Sequence, residues 1–132
     1  MSIDDDALIR AALEVRGKAH CPYSGFSVGA ALVDEHGDVH TGCNVENAAY
    51  PLGSCAEAGA IATMVAAGGQ RIVTIAVIGG SEEVSPCTPC GGCRQRINEF
   101  ADPKTRILAI DDTGEWQSYS IAELLPASFH LP

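Results

Sequence analysis

The sequence predicts an α/β protein, a three-layer α/β/α sandwich on a five-stranded mixed sheet. Three observations lead there. Along the 132 residues the elements run helix, hairpin, helix, strand, helix, hairpin, short helix, an alternation that places helices on both faces of a sheet. Residues 72–78 form a nearly continuous apolar, β-branched run, the pattern of a central strand covered on both sides. Two turn-linked strand pairs, 28–43 and 106–119, precede and follow that run and supply its antiparallel flanks.

Residues 3–19 read as the first helix. Asp4, Asp5 and Asp6 suit the positive end of its dipole, Leu8, Ala11, Ala12 and Val15 recur at helical spacing, and Gly17 marks its fraying end. Residues 21–26 are rich in turn formers and read as a loop. Residues 28–33 then read as a strand, Glu35-His36-Gly37-Asp38 as a turn, and 39–43 as the antiparallel partner. His36 and His40, in or beside that turn, are expected to be exposed. Neither they nor His20 and His130 stand at a ligand-like spacing to another His or Cys. Residues 44–51 carry two amides, a carboxylate and a phenol; by spacing alone they read equally as a grip for hydroxyls and base edges or as an ordinary hydrogen-bonded loop.

A second helix is expected from Cys55 to about residue 67, with a small-residue face and Gly68-Gly69 as its stop. After the central strand and a loop at 79–83, residues 94–100 read as a third helix. Residues 106–110 and 116–119 pair about the turn Asp111-Asp112-Thr113-Gly114. Ser120 caps a short helix, 121–125, with Glu123 in its first turn. With no repeat, low-complexity segment or linker, residues 1–132 are expected to form a single domain.

Composition narrows the partners. A formal net charge of −9 repels phosphate backbones and anionic lipid, so the expectation is a neutral small substrate, no nucleic acid and no membrane. Of the 132 residues 46% are hydrophobic but only 5% aromatic, which suits a compact core of Ala, Val, Ile and Leu. The start, Met1-Ser2-Ile3-Asp4-Asp5-Asp6, has neither the basic residues nor the apolar run of a signal peptide, and no apolar segment reaches membrane-spanning length. Three of the six cysteines crowd into Cys-x-x-Cys-x-x-Cys, a spacing of metal or redox chemistry more than of a disulfide framework. A cytoplasmic protein is expected.

Two stretches carry the chemistry, Cys55-Ala56-Glu57 and Pro89-Cys90-Gly91-Gly92-Cys93. Zinc takes four ligands; three protein sulfurs leave the fourth position for water, whose pKa falls on the metal from 15.7 to roughly 7. Glu57 lies two residues beyond the first sulfur, placed to take a proton and pass it on. Pro-Cys-x-x-Cys occurs twice in overlapping register, as Cys87 with Cys90 or Cys90 with Cys93. We favour the second, because the helix that follows can stabilise thiolates with its N-terminal amides; Cys87 is then a spare thiol. A closed four-cysteine structural site gives no reason for Glu57, and a redox pair leaves Cys55 and Glu57 unexplained. Three thiolates around Zn2+ leave a charge of −1, which needs compensation if the water is to be acidic.

The two stretches match the zinc-deaminase signature, in which Cys or His-x-Glu is followed by Pro-Cys-x-x-Cys. Nearly the whole chain resembles the small, homotetrameric cytidine deaminases. The likeness rests on Cys21-Pro22-Tyr23-Ser24 with Phe26 and Val28-Gly29-Ala30-Ala31, and on Gly42-Cys43-Asn44-Val45-Glu46-Asn47-Ala48 with Tyr50-Pro51. The two zinc stretches, extended by Arg94-Gln95, and Leu124-Leu125-Pro126-Ala127-Ser128-Phe129 complete five blocks in order.

The resemblance implies one zinc per subunit on Cys55, Cys90 and Cys93, with Glu57 as proton shuttle. It implies Asn44 and Glu46 on the ribose 3′-hydroxyl and Phe26 stacked on the pyrimidine. The backbone of Ala56 and the carbonyl of Ser85 would line the base edge, and Tyr50 and Phe129 would reach into a neighbouring subunit's pocket, so that active sites are shared within a homotetramer. The implied reaction is hydrolytic deamination of cytidine or 2′-deoxycytidine to the uracil nucleoside and ammonia, a step of pyrimidine salvage. The alternatives are a deaminase of another aminopyrimidine nucleoside such as blasticidin S, and a non-catalytic zinc-stabilised module. Two positions depart from the pattern. Ala58 stands where many members with three cysteines carry an Arg that offsets thiolate charge; either Arg94 and the helix termini take over that task, or the zinc is more electron-rich and its water less acidic. Cys87 stands where the family usually has another residue.

Overall fold

A computed structural model describes residues 4–132. Helix α1 (Asp5–Arg16) is followed by strands β1 (Ser27–Asp34) and β2 (Val39–Cys43), helix α2 (Ala56–Ala66), strand β3 (Ile72–Gly80), helix α3 (Gly91–Phe100), strands β4 (Arg106–Ile110) and β5 (Trp116–Tyr119), and the short helix α4 (Ile121–Leu124). The five strands form one mixed sheet, as expected, and their order is β2-β1-β3-β4-β5. Only β3 and β4 run parallel, because α3 carries the chain back between them; the other three pairs are antiparallel.

Alternation along the inner strands builds two apolar layers. Ala30 and Leu32, with Ile75 and Val77, face α2 and α3, packing with Ala60, Met64 and Ile97. Ala31, Ala76, Ile78 and Leu108 face the other way, onto Leu8 and Ala12 of α1. Small residues let the layers close. A Cβ at Gly42 would lie 2.4 Å from the Ala60 amide nitrogen and 2.5 Å from the Ala56 carbonyl, so glycine there is what allows the first turn of α2 to rest directly on β2.

The largest boundary changes are at two helices. The first helix is capped by Asp4, whose carboxylate accepts the Ala7 amide, and ends at Arg16; Ile3, its expected first residue, lies outside the described residues. Helix α3 begins at Gly91, three residues earlier than expected. Glycine disfavours a helix interior but costs little in a first turn whose amides have no intrahelical partner.

His40 corrects an expectation. It is buried, 7% exposed, and its Nε2 lies 2.8 Å from Oδ2 of Asp34, itself 2% exposed. The other Asp34 oxygen accepts the amides of His36 and Asp38, so this carboxylate organises the β1–β2 turn from within. The signal missed was period-2 alternation carrying through the turn, which turns His40 inward between exposed Val39 and Thr41. Burial opposes ionisation of Asp34, but the His40 ring and the two amides outweigh it and hold the carboxyl below its ordinary pKa. A depressed carboxyl pKa contributes stability above the unfolded-state pKa, about 3.9, and loses it as pH falls through the folded value. Asp34→Asn is therefore expected to lower unfolding free energy by about 2 kcal/mol at pH 7, with the gap to wild type closing below about pH 4. Urea unfolding across pH checks this.

Candidate active site

Two helix N-termini meet at one end of the sheet. Cys55 occupies the N-cap of α2 and Cys90 the N-cap of α3, both with extended backbone. The Cys55 side chain makes no bond to its helix amides, as a serine or aspartate would there, and both sulfurs point into the space between the helices. Cys93, one turn into α3 and fully buried, falls on the same helix face as Cys90. The three Sγ atoms lie within 4.8 Å of one another.

That spacing fits zinc. Tetrahedral bonds of 2.3 Å place sulfurs about 3.8 Å apart, a small adjustment from the arrangement here. The electrostatics agree. Burial, together with Glu57 and the neighbouring sulfurs, pushes the Cys93 thiol far up, and burial raises Cys55, with the Cys90 and Glu57 charges adding to it; Cys90 moves the other way, its burial outweighed by bonds from the Cys93 amide and the neighbouring sulfurs. Sulfurs crowded in this way need a cation among them to ionise together. Cys87 is not part of the cluster, so among the described residues the group comprises three sulfurs rather than the four of a closed structural site.

Glu57, in the first turn of α2, is 4% exposed. Its burial raises the carboxyl above the usual glutamate range, with its own amide, the Cys93 sulfur and the Arg96 charge opposing the rise. A carboxyl moved toward neutral pH can both accept and return a proton.

Beside the sulfurs opens a cleft of about 450 Å³, lined by Phe26, Asn44, Glu46, Tyr50, Ala56 and Glu57, among others, and by Cys55 and Cys90. A second cavity of about 330 Å³ adjoins it and shares Glu46 and Tyr50. Asn44 and Glu46 also shape the wall that carries Phe26. The Asn44 side chain donates to the Phe26 carbonyl and accepts from the Val28 amide, both at 2.8 Å. Glu46 accepts the Ser24 hydroxyl and the Tyr23 and Ser24 amides, bonds that hold its carboxyl below the ordinary range, the Ser24 hydroxyl foremost. Ser24 Oγ in turn accepts the Phe26 amide.

Four sequence-chosen residues lie otherwise than a single protomer's cleft requires. Ser85 is not among the lining residues: its amide donates to the Gly79 carbonyl, and the adjacent Cys87 and Thr88 take its place along the cleft. Phe129 is 68% exposed on the far side of α3, where its carbonyl accepts from Gln95 and Asn98. Tyr50, on a 3-10 turn, lines the cleft but is 72% exposed, its ring edge-on to Tyr23 with centroids 5.6 Å apart. Arg94, expected to balance the thiolates, instead ties the loop together, donating to the Pro89 and Leu124 carbonyls and to Thr88 Oγ1. The cation at the sulfurs is Arg96, whose Nη1 is 3.5 Å from Cys93 Sγ. The spacing Cys93-x-x-Arg96 on a helix was the available signal.

A family model described as the cytidine and deoxycytidylate deaminase zinc-binding region matches residues 2–109. The chain is similar to a cytidine deaminase of Sporosarcina psychrophila, 38% identical over 96% of this chain and 92% of that one. It is also similar to a cytidine deaminase of Halalkalibacterium halodurans, 39% identical over 96% and 95%. Among solved structures, cytidine deaminase from Burkholderia pseudomallei superposes with a TM-score of 0.86 at 43% identity, covering 96% of this chain and all of that one.

Proposed function

The chain belongs to the cytidine and deoxycytidylate deaminase family, and on that footing we propose that it is a zinc-dependent hydrolase converting cytidine and 2′-deoxycytidine to the uracil nucleosides and ammonia. The observation that carries the reading is the meeting of three sulfurs and one buried carboxyl at the floor of a cleft large enough for a nucleoside. Zinc, when bound by Cys55, Cys90 and Cys93, supplies the Lewis acidity that makes water a nucleophile at neutral pH. Glu57 accepts one proton of the attacking water and delivers it to N3 as the oxygen bonds to C4; it then takes the second proton from the C4 hydroxyl and gives it to the exocyclic amine. The C4–N bond breaks, ammonia departs and the water oxygen becomes the C4 carbonyl of the uracil base.

Phe26 stacks on the pyrimidine, the Ala56 backbone lines its edge, and Cys87 and Thr88 stand on the wall where the Ser85 carbonyl was expected. Asn44 and Glu46 hold the ribose hydroxyl with the lone pairs and protons their bonds to the Phe26 segment leave over. Exposed Tyr23, Tyr50, Leu52 and Phe129 support a homotetramer in which Tyr50 and Phe129 complete a neighbour's site. The proposal extends to one domain over residues 1–132 and to a role in pyrimidine salvage. Six free thiols favour the reducing cytoplasm, and no helix among the described residues is long and apolar enough to cross a membrane.

The charges around the cleft favour a nucleoside over a nucleotide. Among the described residues the lining of the two cavities includes the carboxylates Glu46 and Glu57 and no Lys, Arg or His, so a 5′-phosphate would meet repulsion there. Ammonia release should be rapid with cytidine and deoxycytidine, with kcat/KM for cytidine 5′-monophosphate lower by at least about 100-fold, the cost of roughly 3 kcal/mol of unpaired charge. Comparable turnover of the nucleotide, or turnover of blasticidin S alone, would overturn the reading.

A further inference from the structure

We propose that Arg96 is the charge partner of the three-sulfur centre and sets how strongly Cys93 donates to the metal. The inference rests on the zinc reading above and concerns a residue that no part of that reading requires.

Three thiolates and one Zn2+ leave −1, and an ionised Glu57 beside them adds another. The two helix N-termini that meet here supply roughly +0.5 each. They offset one of the two charges and leave the other to a full cation. Arg94 directs all three guanidinium nitrogens to the Pro89 and Leu124 carbonyls and Thr88 Oγ1, and none to a sulfur. Ala58, next to Glu57, carries no charge.

Arg96 meets the requirement by geometry. It stands one helical turn after Cys93, and its Nη1 donates to the Cys93 sulfur at 3.5 Å. The guanidinium lies close over the first turn of α3, where a Cβ built on Gly92 would stand 3.3 Å from the same Nη1. Among the described residues Arg96 forms no salt bridge to a carboxylate that would draw it elsewhere. Its charge acts on Cys55 and Cys90 as well as on Cys93. An N–H donated to a metal-bound thiolate withdraws electron density from the sulfur and leaves the metal a stronger Lewis acid, the usual action of a group held just outside the ligands. Arg96 is thus a positioning residue, acting on the reaction through Cys93. The position is exposed in the protomer, so the side chain can be changed without opening the core.

The test compares wild type, Arg96→Gln and Arg96→Lys, each with zinc and with cobalt in its place. Wild-type cobalt protein should show the intense visible bands of a tetrahedral thiolate site and a sulfur-to-cobalt charge-transfer band in the near ultraviolet. In Arg96→Gln that band should move to longer wavelength, because a sulfur freed of its donor is easier to oxidise. Arg96→Lys should bring it back toward the wild-type position. In the zinc enzymes kcat for Arg96→Gln should fall by about tenfold with KM within about twofold, and lysine should recover most of the loss. Wild-type bands with no shift in Arg96→Gln would overturn the inference and leave the zinc reading standing. The same holds for a lowered melting temperature with unshifted bands, which would mark a merely structural role. Absence of thiolate bands in wild type would overturn both.

Discussion

Replacement of Glu57 by glutamine should leave one zinc per chain and lower kcat for cytidine by roughly 10²–10⁴-fold, the usual worth of a positioned general acid/base. Glutamine keeps the size and hydrogen-bonding reach of the side chain but cannot accept a proton from water or return one to N3 and the amine. Metal content should hold because Glu57 is not a member of the sulfur group. A second readout separates lost chemistry from lost structure. The carboxyl pKa is raised by burial, so at neutral pH its ionisation opposes folding of the metal-free chain, an effect that fades as pH falls toward the unfolded value near 4. Metal-free Glu57→Gln should therefore melt no lower than wild type at pH 7. Zinc analysis, the fall in cytidine absorbance and thermal unfolding on the same preparation check all three. Turnover within tenfold of wild type would remove Glu57 from the proton path.

The course of the chain was legible because each element carries its own period. The unbroken run of β3 announced a strand covered on both faces, and hydrophobic clusters from α1 on one side and α2 with α3 on the other now cover it. The ligand trio was legible for a related reason: spacing fixes which residues share a helix end, and Cys90 and Cys93 needed only that α3 start where it does. What stayed hidden was set by packing between elements. His40 faces Asp34 through a turn that composition alone marks as exposed. Arg94 and Arg96 are chemically identical and two residues apart, yet helical rotation sends one to the Pro89 and Leu124 carbonyls and the other to a sulfur. Along the loop before α3, Ser85 is held against Gly79 by its own amide, which leaves Cys87 and Thr88 on the cleft; no local pattern encodes that choice.

Removing the metal is expected to abolish activity while leaving the chain folded. In a small structural zinc site the metal is the core, and a chelator unfolds the protein. Here two apolar layers built on a five-stranded sheet hold the helices that present the sulfurs, and Leu32, Ile75, Ile97 and Ile107 are fully buried without involving any of them. Dialysis against a strong chelator should therefore stop ammonia release with little change in the far-ultraviolet circular dichroism, and added zinc should restore turnover. Cys93→Ser should reproduce the metal-free state by mutation. The change leaves a hydroxyl in a fully buried position shaped for a sulfur, with Arg96 still directed at it. Loss of a group behind a ligand costs 10–100-fold in metal affinity, so loss of the ligand itself should cost at least roughly 100-fold. Cys87→Ser, outside the cluster, should keep its zinc. Unfolding on chelation, or equal zinc loss in the two serine variants, would show that the metal is held otherwise than by Cys55, Cys90 and Cys93.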